Sequence, residues 1–75
     1  MKFRVESPKH SKAIQRELIR LGFKWVYHQD KIVHINEPYL FARVHDMTIS
    51  FSPFDEAFEK YTDHEETNFW ELKLM

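Results

Sequence analysis

Cysteine is absent from this 75-residue chain and glycine occurs once, and each scarcity removes a class of chemistry. Without a thiol there is no disulfide framework, no thiolate metal site and no cysteine nucleophile. A single glycine, Gly22, cannot supply the loops that cradle phosphates or dinucleotides, which need several. No apolar run approaches the roughly 18 residues of a membrane span, and Met1–Ser7 lacks the apolar stretch of a signal peptide. The expected setting is therefore a reducing cytoplasm, with no membrane partner. The serines at positions 7, 11, 50 and 52 stand in no nucleophile-elbow pattern, and His64-Glu65-Glu66 lacks the second histidine that a zinc-protease helix places at i+4. The chain reads as no enzyme, with no cofactor and no metal site.

What is present is aromatic bulk. Seven Phe, three Tyr and two Trp make up 16% of the residues, and such rings bury enough apolar area for a short chain to assemble a core. A hydrophobic fraction of 43% beside 31% charged residues describes an ordinary globular chain. Its length allows one domain, residues 1–75. The net charge of −1 conceals two unlike halves: residues 1–45 carry nine Lys/Arg against four Asp/Glu, and residues 46–75 carry two against eight. Such a dipole suits a charged partner, or it is the solvated faces of two helices.

Lys2–Glu6 alternates and predicts a first strand. Ser7-Pro8 supplies an N-cap followed by proline in the first turn, and Gly22 a C-terminal cap, which bracket a helix over Pro8–Leu21. On it Ile14, Leu18 and Leu21 share one face, while Lys9, Lys12, Arg16 and Arg20 line the opposite one. Four strand-like segments follow: Lys24–His28, Ile32–Asn36, Tyr39–Val44 and Met47–Ser52. Turns at residues 29–31, 37–38 and 45–46 place Trp25, Tyr27, Val33, Ile35, Leu40, Ala42, Val44, Met47, Ile49 and Phe51 on one face. With no glycine in these turns, Asp30 and Asp46 are the residues suited to positive φ. Ser52-Pro53 with Asp55 resembles a capping box opening a short helix, Pro53–Tyr61, and Phe69–Met75 alternates as a closing strand. The predicted fold is α+β in the order β-α-β-β-β-β-α-β. It is an antiparallel four-stranded meander packed on one amphipathic N-terminal helix, with a second short helix near the C-terminus.

Three surfaces offer binding chemistry. The second face of the meander carries His28, His34, Tyr39, Phe41 and Arg43, aromatics beside cations, which suit either stacked bases or a protein patch. Alternatively the second helix or the closing strand covers it. His28 and His34 project from that face, but two ligands fall short of the four that structural zinc takes. The stripe Lys9, Lys12, Arg16 and Arg20 suits phosphates. The acidic residues Asp55, Glu56, Glu59, Asp63, Glu65 and Glu66 are a solvated face, or dock on a partner's basic groove.

Ser7-Pro8-Lys9-His10-Ser11, then Ile14-Gln15, then Leu21-Gly22-Phe23-Lys24-Trp25 resembles small accessory proteins of tailed bacteriophages. The likeness continues through Tyr39-Leu40 and from Glu66-Thr67 to Glu71-Leu72. Where those proteins carry glycine near the third hairpin turn, this chain has His45-Asp46. The resemblance implies a protein made in the bacterial host cytoplasm, with no catalytic residues to carry over, that binds and modulates or inhibits a host protein such as a defence or toxin component. The alternative is an RNA or single-stranded DNA binding module using the basic stripe and the aromatic face. Either suits a monomer or a homodimer.

Overall fold

Ser7 and Pro8 open the helix that the sequence marks at both ends. The Ser7 Oγ accepts the His10 amide at 3.1 Å, Pro8 stands where no N–H is needed, and Gly22 takes φ 103° just beyond the C-cap Leu21. This helix, α1, spans Pro8–Arg20 in the computed structural model, which describes residues 1–62 and 64–75. Around it stand β1 (Lys2–Arg4), β2 (Lys24–Trp25), β3 (Tyr39–Arg43), β4 (Thr48–Ser52), α2 (Asp55–Lys60) and α3 (Phe69–Lys73).

The class is α+β, as expected, but the sheet is mixed rather than an antiparallel meander. Its order is β1-β3-β4-β2, with β1/β3 and β3/β4 antiparallel and β2/β4 parallel. β1, α1 and β2 thus form a parallel crossover, and the β3–β4 hairpin is inserted between its two strands. The hairpin keeps the predicted register, Leu40 opposite Phe51 and Ala42 opposite Ile49. Its turn, however, takes four residues, 44–47, and Met47 rather than Asp46 has the positive φ, 58°. Asp46 instead accepts the Thr48 hydroxyl at 2.6 Å and pairs with Arg43 at 3.5 Å.

Two further segments depart from the predicted order for identifiable reasons. Ile32–Asn36 forms no strand, because His34 takes φ 53° and the Gln15 side chain occupies the polar groups of Val33. Gln15 Nε2 donates to the Val33 carbonyl at 2.7 Å, and Gln15 Oε1 accepts the Val33 amide at 3.1 Å. Phe69–Met75 is not a strand but contains α3. The Asn68 side chain accepts the Glu71 amide at 2.9 Å, and the Glu71 carboxylate accepts the Asn68 amide at 3.2 Å, a reciprocal cap. Of its alternating apolar residues only Leu72 is buried; Trp70 and Leu74 are exposed. The cap expected at Ser52 is a local turn, Ser52 Oγ accepting the Phe54 amide, and α2 begins two residues later than predicted.

One side of the sheet carries the main core. Phe3, Trp25, Leu40, Ala42 and Ile49 from the strands meet Ile14 and Leu18 of α1, Phe23 of the segment between α1 and β2, and Leu72 of α3. α2 lies on the other side and buries Phe58, a burial that contributes roughly 2–3 kcal/mol. Both sheet edges are closed by single bridges. Lys2 bridges Glu66, and Trp25 exchanges hydrogen bonds with Gln29 at 2.9 and 3.0 Å. Such closure blunts strand-to-strand association.

Candidate binding surfaces

The outer face of the β3 strand is covered. Phe41 is buried, its ring 4.7 Å from Tyr61 and 6.4 Å from Phe58, and the Tyr39 ring lies 5.1 Å from Phe58. The Phe58 ring in turn lies under two cations, Lys2 Nζ at 4.4 Å and the Arg4 guanidinium at 4.3 Å. Lys2 is itself buried and donates to the Phe58 carbonyl at 2.8 Å. Of the expected trio Tyr39, Phe41 and Arg43, only Arg43 is exposed, and it is paired with Asp46. The covering helix, one of the two readings of this face, is what the structure contains, so no open stacking platform exists there.

The acidic residues divide. Glu59 and Glu66 converge on Arg4 at 3.6 and 3.0 Å, and the Glu66 hydrogen bond, ahead of the opposing desolvation, raises the Arg4 pKa above its ordinary value. Asp55 and Glu56 lie exposed in the first turn of α2, and Glu65, whose carbonyl accepts the Lys2 amide, is exposed as well. Asp63 lies outside the described residues. The acidic half of the chain therefore commits part of its charge to Arg4 of the basic half.

The basic stripe is differently placed. Lys9, Lys12, Arg16 and Arg20 are all exposed along α1. Arg20 pairs with Glu17, whereas no acidic group among the described residues comes within ion-pair distance of Lys9, Lys12 or Arg16.

His28 and His34 come together, with ring centroids 5.5 Å apart. β2 ends after Trp25, the chain turns through residues 26–28, and Gln29 at φ 55° returns it to Trp25. That turn pushes Val26 and Tyr27 outward, 60% and 91% exposed. His34 stacks on Phe51 at 4.2 Å with an interplanar angle of 22°, and Trp25 stands 5.2 Å from His34. These residues, with Ile49 and Ser50, line a shallow groove of about 250 Å³. Its floor is held from behind, since Trp25 Nε1 donates to Gln15 Oε1 at 3.0 Å and Gln15 Nε2 also donates to Ser11 Oγ at 3.0 Å. Two donors and two acceptors of one buried amide are thus all used.

Sequence reasoning singles out the two histidines of this groove but assigns Tyr27 and Phe51 to the core. The signal that separates them is Gln15, a polar residue on the apolar face of α1. A buried amide there needs partners: the Val33 backbone supplies them in place of strand pairing, and the Trp25 indole supplies another from within β2.

A larger concavity, about 450 Å³, opens between β1, α1 and α3, lined among others by Arg4, Glu6, His10, Glu66 and Trp70. Its polar groups largely satisfy one another: Arg4 binds Glu66, and His10 Nδ1 accepts the Glu6 amide at 3.0 Å. Among the described residues no buried side-chain polar atom lacks a partner, and no three His, Asp or Glu are grouped to hold a metal ion. No described helix is long and apolar enough to cross a membrane. No family model, no curated protein and no solved structure matches this chain.

Proposed function

We propose that this chain is a non-catalytic accessory protein that captures a host protein through the groove built on Trp25, Val26, Tyr27, His34 and Phe51. The observation that carries the reading is the exposure of Val26, Tyr27 and part of Phe51 side by side on a floor fixed by Gln15. Contiguous apolar and aromatic surface on a rigid support is what protein contacts select, whereas scattered exposed rings need no explanation. The setting, a bacterial host cytoplasm during infection, comes from the resemblance of residues 7–25 to small phage proteins. A defence or toxin component is the class of partner that this setting suggests.

The test is an affinity pull-down from nuclease-treated bacterial lysate, with Tyr27→Ala and Trp70→Ala as paired variants. Both residues are exposed, so both variants fold. A stoichiometric partner lost with Tyr27→Ala and kept with Trp70→Ala supports the groove. A partner insensitive to Tyr27, or none at all, refutes it.

A further inference from the structure

Gln15 joins two surfaces that the sequence presents separately. On a helix, residues three and four apart are neighbours, so Lys12 flanks Gln15 and Arg16 follows Lys12 on the same row. Gln15 holds Val33 by both its amide and its carbonyl. The next residue, His34, stacks on Phe51 inside the groove. Lys12, three residues before Gln15, therefore lies on the flank of α1 that holds the loop forming one wall of the groove, and Arg16 continues the exposed row one turn further on, toward the outer face of the helix. Lys12 and Arg16 have no acidic partner among the described residues, and no Asp or Glu lines the groove.

We infer that groove and stripe act as one docking surface for an acidic, extended segment of the partner protein. A bulky apolar side chain of that segment enters beside Tyr27 and Phe51, and its carboxylates lie along Lys12 and Arg16. This rests on the protein-binding reading above and names the chemistry of the partner. Charge complementarity carries it: an apolar anchor site with uncompensated positive charge on one flank discriminates against basic and neutral segments. A nucleic acid fits less well. A long polyanion feels the whole field of the molecule, and residues 46–75 carry eight acidic groups against two basic ones. The groove also presents Val26 and Tyr27 at a turn, not two parallel rings between which bases could stack in series.

The experiment is a titration of the isotope-labelled full chain with synthetic probes of about eight residues, a length that spans groove and stripe when extended. The first probe is rich in Glu and Asp around a central Phe-Leu pair. The second replaces every acid by Lys, the third replaces the Phe-Leu pair by Ala-Ala, and the fourth is a thymidine octanucleotide. Amide shifts at Tyr27, His34 and Lys12 with the first probe, and weak binding of the second and third, are expected. Lys12→Glu/Arg16→Glu should weaken the first probe by roughly tenfold, and raising salt from about 50 to about 200 mM should weaken it further. Equal binding of the lysine probe overturns the inference, as does tighter binding of the octanucleotide at the same amides. So does self-association of the free chain through Tyr27 in sedimentation velocity, or the absence of shifts with any probe at millimolar concentration. If the pull-down partner is lost with Tyr27→Ala but kept with Lys12→Glu/Arg16→Glu, the groove reading stands and the acidic-segment inference falls.

Discussion

Gln15 pairs with Val33 as a strand would. Its Nε2 donates to the Val33 carbonyl at 2.7 Å and its Oε1 accepts the Val33 amide at 3.1 Å, so one side chain replaces a rung of β ladder. Because Oε1 also accepts Trp25 Nε1, the replacement decides both where the loop runs and how the groove floor is oriented.

Removing that amide leaves buried groups without partners. Gln15→Leu strips Val33, Trp25 Nε1 and Ser11 of their bonds and should cost about 3 kcal/mol, by the desolvation penalty of unpaired buried polar groups. Gln15→Glu should cost at least as much, since the carboxylate keeps the acceptor but loses both donors and buries a charge. Chemical denaturation followed by tryptophan fluorescence reads both. A loss under about 1 kcal/mol in both variants would show that the network is not structural.

The reciprocal cap at the start of α3 has a separable value. Asn68→Ala should destabilise by about 1 kcal/mol, and Ser7→Ala at the start of α1 by a similar amount. The two caps share no hydrogen-bond partner, so their effects should add in the double variant. Thermal denaturation of the four proteins is sufficient.

Phe58 is the residue by which α2 covers the outer sheet face. Phe58→Ala should cost about 3–5 kcal/mol, a large share of the roughly 4–11 kcal/mol expected for a chain of this length. Phe58→Leu should cost about 1 kcal/mol and stay folded. In that milder variant, faster hydrogen exchange in α2 with unchanged exchange in α1 would establish that the cover opens locally. Uniform acceleration would show a single cooperative unit.

The hairpin turn has an acid-sensitive component. The Thr48 hydroxyl bond, followed by the charge of Arg43, lowers the Asp46 pKa below its ordinary 3.8. A depressed carboxylate contributes stability that is present above its unfolded pKa and lost as pH falls through its folded one. Stability should therefore decline below about pH 4 with a part due to Asp46, and Asp46→Asn should flatten that part of the acid limb. An unchanged limb would remove Asp46 from the account.

The register of β3 against β4 was legible because six apolar residues alternate in two runs, which excludes any slip by one residue, and the short span between the runs selects among the pairings that remain. Even so, Val44 and Phe51 fall at the margin, 65% and 37% exposed, since alternation says which face a residue takes and not how far the covering layer extends. The helix α1 was legible from Ser7, Pro8 and Gly22, local signals whose physics needs no tertiary partner. The parallel pairing of β2 was not, because period-two alternation carries no information about strand neighbours. α3 was written in the sequence twice, as Asn68 with Glu71 three residues on and as the alternation of Trp70, Leu72 and Leu74. The cap prevailed over the alternation because it satisfies backbone groups directly, while only Leu72 finds a buried site.

The insertion of the β3–β4 hairpin between β1 and β2 also sets an order in time. Residues 2–25 precede the hairpin in synthesis, and they hold two strands that are not neighbours and a helix whose apolar face has nothing flat to rest on. Phe3, Ile14, Leu18 and Trp25 must wait until Leu40, Ala42 and Ile49 have been synthesised. Closing such distant pairings is slow relative to helix formation. During translation the apolar residues of β1, α1 and β2 pass through an interval without their sheet partners, and the hairpin that arrives last in the sheet is the one that ends it.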